Sequence, residues 1–365
     1  MLRIIDRYLL RELAFGVGAS ALVLLLITTG GTFADVLNKV ALGRLPGNVM
    51  FPVLGLRVFD ALTVLLPVAL FLGVLLGLSR LYRDAEMHVL AAAGMGPRGL
   101  LRPAALLAVP LALVVGLISL WLGPAAVRAA DALVADANRS VIAAGLEPGR
   151  FVELPGRAGV IFVDSMSRNG SVIGRVFVES ERGAGEDGGS TLDVVTARGG
   201  RLSTGEGERY LELHDGYRFE GRLGQDNWRR MRFERNGIAL AVPRDEDDRS
   251  DPAHGQPSRA LMRAVEPDAR AELAWRVAAP ATVLVLALLA LPLARQSPRE
   301  PRYGRLLLAI LAYLLYANLL ALLRTGIGAG KLPAWIGLWP VHAAFAGVAA
   351  WMLWRQYRVR RVVAT

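Results

Sequence analysis

The stretch RTGIGAGKLPAW, residues 324–335, sets three glycines ahead of a lysine, the composition of a loop that cradles phosphate. A nucleotide-binding loop of the Walker type needs a glycine five positions before the one preceding the lysine, and a Ser or Thr after it to hold magnesium. Here Thr325 stands where the glycine belongs and Leu332 where the hydroxyl belongs. The chain therefore carries no ATP site of that kind. There are no cysteines, which excludes thiolate catalysis, disulfides and cysteine-ligated metal. The four histidines, His88, His214, His254 and His342, are scattered without ligand spacing, and the acidic run Asp245–Asp248 lacks the spacing of a calcium loop. No motif pairs a nucleophile with a base or two carboxylates. The reading is of a chain that is not an enzyme and holds no cofactor of its own.

The elements that position these residues belong to a membrane. Hydrophobic residues make up 53% of the 365, and the mean hydropathy is +0.39, too apolar for an ordinary soluble protein. A helix crossing the hydrocarbon core needs about 20 apolar residues. Six stretches approach this without a single Asp, Glu, Lys or Arg: 13–33, 61–78, 104–122, 277–294, 306–323 and 335–354. The first is longer than the apolar region of a cleaved signal peptide. Tyr82, Trp121, Trp335 and Trp354 sit at span ends, as interfacial anchors do.

With six spans, four arginine clusters fall on one side: Arg3, Arg7 and Arg11; Arg80, Arg83, Arg98 and Arg102; Arg295, Arg299, Arg302 and Arg305; and Arg355, Arg358, Arg360 and Arg361. The positive-inside rule makes that side the cytoplasm and puts both termini there. The net charge of +10 is accounted for by topology, without a nucleic acid partner. Between spans three and four lies a near-neutral polar insert, 123–272, with short β-rich runs such as VIFVDS, TLDVVTARG and RYLELHDGYRFEG cut by Gly, Asp and Asn. RNG at 168–170 and HDG at 214–216 read as hairpin turns. Residues 181–190 and 243–258 read as flexible loops. The expected fold is thus an α-helical polytopic membrane protein of six transmembrane helices with an inserted all-β, jellyroll-like periplasmic domain. Its parts are a membrane half over 1–122, the β-domain over 123–272 and a second membrane half over 273–365.

This layout and several local sequences resemble the LptF/LptG permeases of lipopolysaccharide export, LptF more than LptG. The similar segments are DRYLLREL (6–13), LLPVALFLGVLLGLSRLYRDAEMHVLAAAGM (65–95), WLGPAAVRAAD (121–131), ARAELAWR (269–276) and GAGKLPAW (328–335). Their order along one chain is the strong part; inside the β-domain the similarity is one of architecture. The resemblance implies an inner-membrane subunit that extracts lipopolysaccharide and passes it to a periplasmic bridge of jellyroll domains. It implies an LptG-like permease, an LptB-like ATPase dimer that binds the ATP and magnesium, and an LptC-like membrane-anchored jellyroll protein as partners. It also places a coupling helix at 81–93, ended by Gly94, Gly96 and Pro97. There Arg83, Glu86 and Leu90 would face the ATPase, Glu86 through a charge-assisted hydrogen bond.

Extraction of an anionic, multi-chain lipid needs an apolar cavity with a cationic rim. The resemblance assigns the cavity to spans one, two and five. The rim candidates are Lys39, Arg44, Arg324 and Lys331, with Arg57 nearby. The chain departs from the family at TTGGTFAD (28–35), where LptF proteins often carry a basic residue. Asp60 reads as an outer-interface residue. Two other readings, an exporter of another lipid, lipoprotein or drug and a membrane receptor with a β-sensor, fit less well. The first type commonly has its domain after one span, and the second wants a cytoplasmic domain larger than any segment available here.

Overall fold

In a computed structural model of the chain the described residues are 4–41, 45, 47–145, 149–153, 159–167, 172–182, 191–205, 208–222, 225, 228–239, 253–295, 304–334 and 336–363. The helices are α1 (Ile4–Ala41), α2 (Met50–Arg83), α3 (Glu86–Ala92), α4 (Leu101–Leu117), α5 (Gly123–Gly145), α6 (Ser258–Leu261), α7 (Pro267–Leu293), α8 (Gly304–Gly328) and α9 (Trp339–Val363). Two compact units separate. One comprises residues 1–34, 52–131 and 251–365, the other residues 35–51 and 132–250.

Among the described residues, five helical stretches are long and apolar enough to cross a membrane: Ile4–Ala41, Gly47–Arg83, Leu101–Ala137, Pro267–Leu293 and Gly304–Gly328. The sixth expected span falls on α9, whose later turns carry the arginines from Arg355 onward. In the first unit α7 is the central helix, packed against α4, α8 and α9. Small residues let it approach: Ala104, Ala108 and Ala112 of α4 recur every fourth position, on one buried face, and Gly116 of α4 faces Pro280. After Leu117 the third span widens into a π-helical turn, Ile118–Leu122, and helix then continues past the expected end at 122 to Gly145. By contrast α1 and α8 leave about half of their large apolar side chains exposed, among them Leu22, Leu26, Ile27, Leu311 and Leu315.

The second unit contains β1 (Phe151–Glu153), β2 (Gly159–Val163), β3 (Val172–Ile173), β4 (Val176–Arg182), β5 (Thr191–Gly205), β6 (Glu208–Arg222) and β7 (Arg229–Ala239). They form one antiparallel sheet in the order β1-β2-β4-β5-β6-β7, with β3 pairing with β5. An antiparallel β-sheet insert is as expected, but α5, α6 and the start of α7 occupy the ends of the 123–272 stretch that was expected to be all-β. Ile161, Val163, Val176, Val178 and Val195 share a buried aliphatic face. Phe162 and Phe177 lie on the opposite face, where the Phe151 ring meets both.

The expected turn at HDG is not one: His214 to Gly216 lie inside β6. Pairing skips Arg198 opposite Asp215, which takes a left-handed φ of 50°. On β5 the buried residues change from odd positions (Val195, Ala197) to an even one (Gly200) across this point, so the long β5–β6 ribbon bends there rather than ending. The RNG turn at 168–170 lies outside the described residues.

Candidate functional site

Two groups of polar side chains stand out in the helical unit. The first surrounds α3. The expected helix over 81–93 is in fact divided: α2 runs on to Arg83, Ala85 takes a left-handed φ of 59°, and α3 starts at Glu86. Gly94, at φ 89°, ends it, with the Met95 N–H donating to Leu90 O and the Gly94 N–H to Ala91 O. The division separates the three expected contact residues. Arg83 closes α2 and is exposed, whereas Glu86 and Leu90 lie one turn apart on the side of α3 that faces inward. Leu90 packs on the apolar core beside Met87, and Glu86 accepts a 2.5 Å hydrogen bond from the Tyr8 hydroxyl. The outward side presents His88 and Val89, the latter 68% exposed. Around this segment α1 makes further ionic contacts: Glu12 with Arg80 at 2.8 Å, and Asp6 with Arg102 at 3.2 Å. Arg80 also reaches Asp84 at 3.6 Å.

The second group centres on Glu272, which is 1% exposed. Its Oε1 accepts from Arg276 Nε at 2.8 Å and lies 3.1 Å from His254 Nδ1, while Oε2 accepts from Arg324 Nη2 at 2.8 Å. The other ring nitrogen of His254 is 3.0 Å from Asp60 Oδ2. Hydrogen bonds to these two carboxylates push the His254 pKa up to about 10 against the opposing effect of burial, so the imidazole is a cation at neutral pH. Arg276, 2% exposed, spends its remaining N–H groups on the segment 253–258: the carbonyls of Ala253, His254 and Gln256 and the Ser258 hydroxyl. Ser258 in turn donates to Leu120 O in the π-helical turn, and Arg128 donates to Gly255 O. The end of the stretch expected to be a flexible loop is thus ordered and partly buried. A guanidinium's planar fork suits this division of labour, since five donors reach five separate acceptors.

The rim candidates are not equivalent. Arg324 is committed to Glu272 and also lies over the Trp275 ring, 5.2 Å from its centroid, yet stays 30% exposed. Lys331 is exposed after the turn that closes α8, where Gly330 takes φ 69°. Lys39 lies 3.8 Å from Asp35, one turn earlier on α1. Arg44 lies outside the described residues. Trp275 also lines an apolar cleft with Pro67, Leu286, Tyr313, Tyr316 and Leu320, about 500 Å³ counting its open side.

Sequence reading missed the Glu272 group as a unit. One signal was present: Glu272 and Arg276 stand four apart in ARAELAWR, the spacing of a helical ion pair. Asp60 and His254, 194 positions apart, carried none.

Residues 7–355 match the family described as lipopolysaccharide export system permease LptF/LptG. The chain is 32% identical over 369 residues to the lipopolysaccharide export system permease protein LptF of Escherichia coli K12. That alignment covers 99% of this chain and 98% of the relative. The LptF proteins of Escherichia coli O157:H7 and Shigella flexneri match to the same extent.

Proposed function

The chain belongs to the LptF/LptG family and is a permease subunit for lipopolysaccharide export, and from that premise we propose how its parts share the work. It pairs with an LptG-like permease on an LptB-like ATPase dimer, which supplies the ATP and magnesium. It delivers lipid to an LptC-like jellyroll protein. The arginine clusters hold both termini and α3 on the cytoplasmic side and leave the β-unit in the periplasm. The exposed helical surfaces of α1 and α8, with α2 between the membrane's two faces, form this chain's share of the lipid cavity.

The observation that carries the lipid reading is the Arg324–Trp275 stack at an apolar cleft. A cation over an indole beside an apolar recess suits an amphiphile with an anionic head and hydrocarbon tails. Arg324 keeps exposed surface for a phosphate, and Lys331 and Lys39 add cations; Arg44 is proposed with them. At α3, Arg83, Glu86 and Leu90 serve the ATPase together, Arg83 at the surface, Glu86 by a charged contact and Leu90 by seating the helix on the core. In the β-unit the aliphatic face of Ile161, Val178 and Val195 is the lipid-facing one, and the end strands β1 and β7 are where a further jellyroll adds by strand pairing.

A photo-crosslinking amino acid in place of Tyr313, which lines the cleft, tests the lipid reading in cells. It captures lipopolysaccharide, and Lys331→Glu lowers the yield several-fold while a gentle membrane pull-down still recovers a second permease and an ATPase. Charge reversal at Arg324 is a poorer test, because it would set a carboxylate against buried Glu272. No capture at Tyr313, or full capture in Lys331→Glu, removes the cleft or the rim from the pathway.

A further inference from the structure

α1 meets α2 in two quite different ways along its length. Near its start it is tied by polar contacts to the segment around α3: Tyr8 to Glu86, Glu12 to Arg80, and Asp6 to Arg102 at the start of α4. These ties flank α3 on both sides. At Gly16 the backbones of the two helices touch. A Cβ on Gly73 would fall 2.4 Å from Val17 Cα, and one on Gly16 would fall 2.7 Å from Gly73 O. Glycine is required at both positions because the backbones approach closely. Beyond this crossing Leu22, Val23, Leu26 and Ile27 are all more than half exposed, and Gly18, Gly30 and Gly31 have nothing near where a Cβ would stand.

We propose that α1 is a lever, with Tyr8 as the positioning residue that receives motion from Glu86, the Gly16–Gly73 crossing as its pivot, and the stretch from Leu22 to Phe33 as its moving arm. The inference rests on the reading of α3 as the ATPase-facing segment. Three physical features suit the role. The Tyr8–Glu86 and Glu12–Arg80 ties at the driven end are exposed and ionic or hydroxyl-to-carboxylate, so they can be broken and remade as α3 shifts, whereas Asp6 is buried. The pivot carries no side chains to interlock, so the helices can rock about one point. The arms are unequal: at 1.5 Å per residue, Tyr8 lies about 12 Å from Gly16 and Phe33 about 25 Å. A small displacement at Glu86 is therefore roughly doubled, and reversed in direction, at the far end. That end lies at the face of the membrane where Arg324 and Lys331 await the lipid headgroup. Without the Tyr8 hydroxyl the contact to Glu86 is lost, while the Glu12–Arg80 and Asp6–Arg102 pairs and the fully buried Leu9 and Leu13 keep the helix seated.

The chain's lack of cysteine makes the test direct. Spin labels at Leu26→Cys and Leu113→Cys, both exposed positions, report the distance between the α1 arm and α4 in the assembled transporter. With wild-type Tyr8, the distance changes between the nucleotide-free and ATP-analogue-bound states. In Tyr8→Phe that change falls by half or more and export falls with it, while the ATPase subunits still co-purify. A Gly73→Ala variant, which forces the helices apart at the pivot, also shrinks the change. Tyr8→Phe with an unaltered distance change overturns the lever. If Glu86→Ala abolishes the change but Tyr8→Phe does not, the lever alone fails. If Glu86→Ala also retains the change, ATPase association and export, the coupling reading of α3 falls with it.

Discussion

The polar contacts around Glu272 and those around Glu86 are built from the same residue types and differ in what surrounds them. At Glu272 the carboxylate and its Arg276 partner are almost wholly out of solvent, and each donor of that arginine is engaged. At Glu86 the Tyr8 hydroxyl and the Arg80–Glu12 pair stand at the surface. A buried pair loses heavily when one partner is removed, because the other is left as an uncompensated charge. A surface pair is weak and easily exchanged. The first arrangement therefore fixes geometry, joining Asp60 of α2, α7, α8 and the segment 253–258. The second can be broken and remade during a transport cycle. Within one helical unit, burial separates a joint built to hold from the joint that the proposed lever would move.

That contrast is sharpest at Arg276. Arg276→Ala leaves buried Glu272 and three backbone carbonyls short of donors, and should destabilise the protein by about 3–5 kcal/mol. Thermal unfolding in detergent measures it. Arg276→Lys should recover only part of the loss, since an ammonium lacks the planar fork. Full recovery by lysine would mean that charge alone, and not directed hydrogen bonding, holds the segment.

A smaller effect is expected from His254, through pH. Its folded pKa of about 10 stands above the ordinary value of 6.5, so its contribution to stability is complete below about pH 6.5 and is lost as pH rises through 10. The unfolding temperature of the wild type should decline over that window more steeply than that of His254→Gln. Equal slopes would show that the imidazole is not the proton-binding member of the group.

The smallest effect belongs to the surface ties. Arg80→Gln removes a pair whose arginine is 56% exposed, and its stability cost should stay within about 0.2–1 kcal/mol. High salt should weaken the wild-type contact in the same direction. A loss comparable to that of Arg276→Ala would erase the distinction between the two regions.

The segments that form spans, the arginine-rich ends and the β-character of the insert were legible in the sequence, because they depend on local composition and periodicity. A run without charge is apolar whatever it packs against, and Val-rich alternation favours strand in any register. ARAELAWR even displayed one ion pair, since four residues of helix bring Glu272 under Arg276. Tertiary structure decided the rest. His254 lies 18 positions from Glu272 and 194 from Asp60, and only the packing of α2 and α7 against the segment 253–258 brings both carboxylates to one imidazole. Helix propensity alone would carry α2 through Ala85, yet the chain turns there at φ 59°. HDG has the composition of a turn, but pairing with β5 and β7 on both sides keeps it within a strand and converts its left-handed residue into a bend. The orientation of each sheet face followed only once that register was set, because a shift of one residue exchanges the faces. Commitment of Arg324 to Glu272 was equally invisible, for a cation at a span end has the same sequence signature whether it meets water, lipid phosphate or a buried carboxylate from another helix.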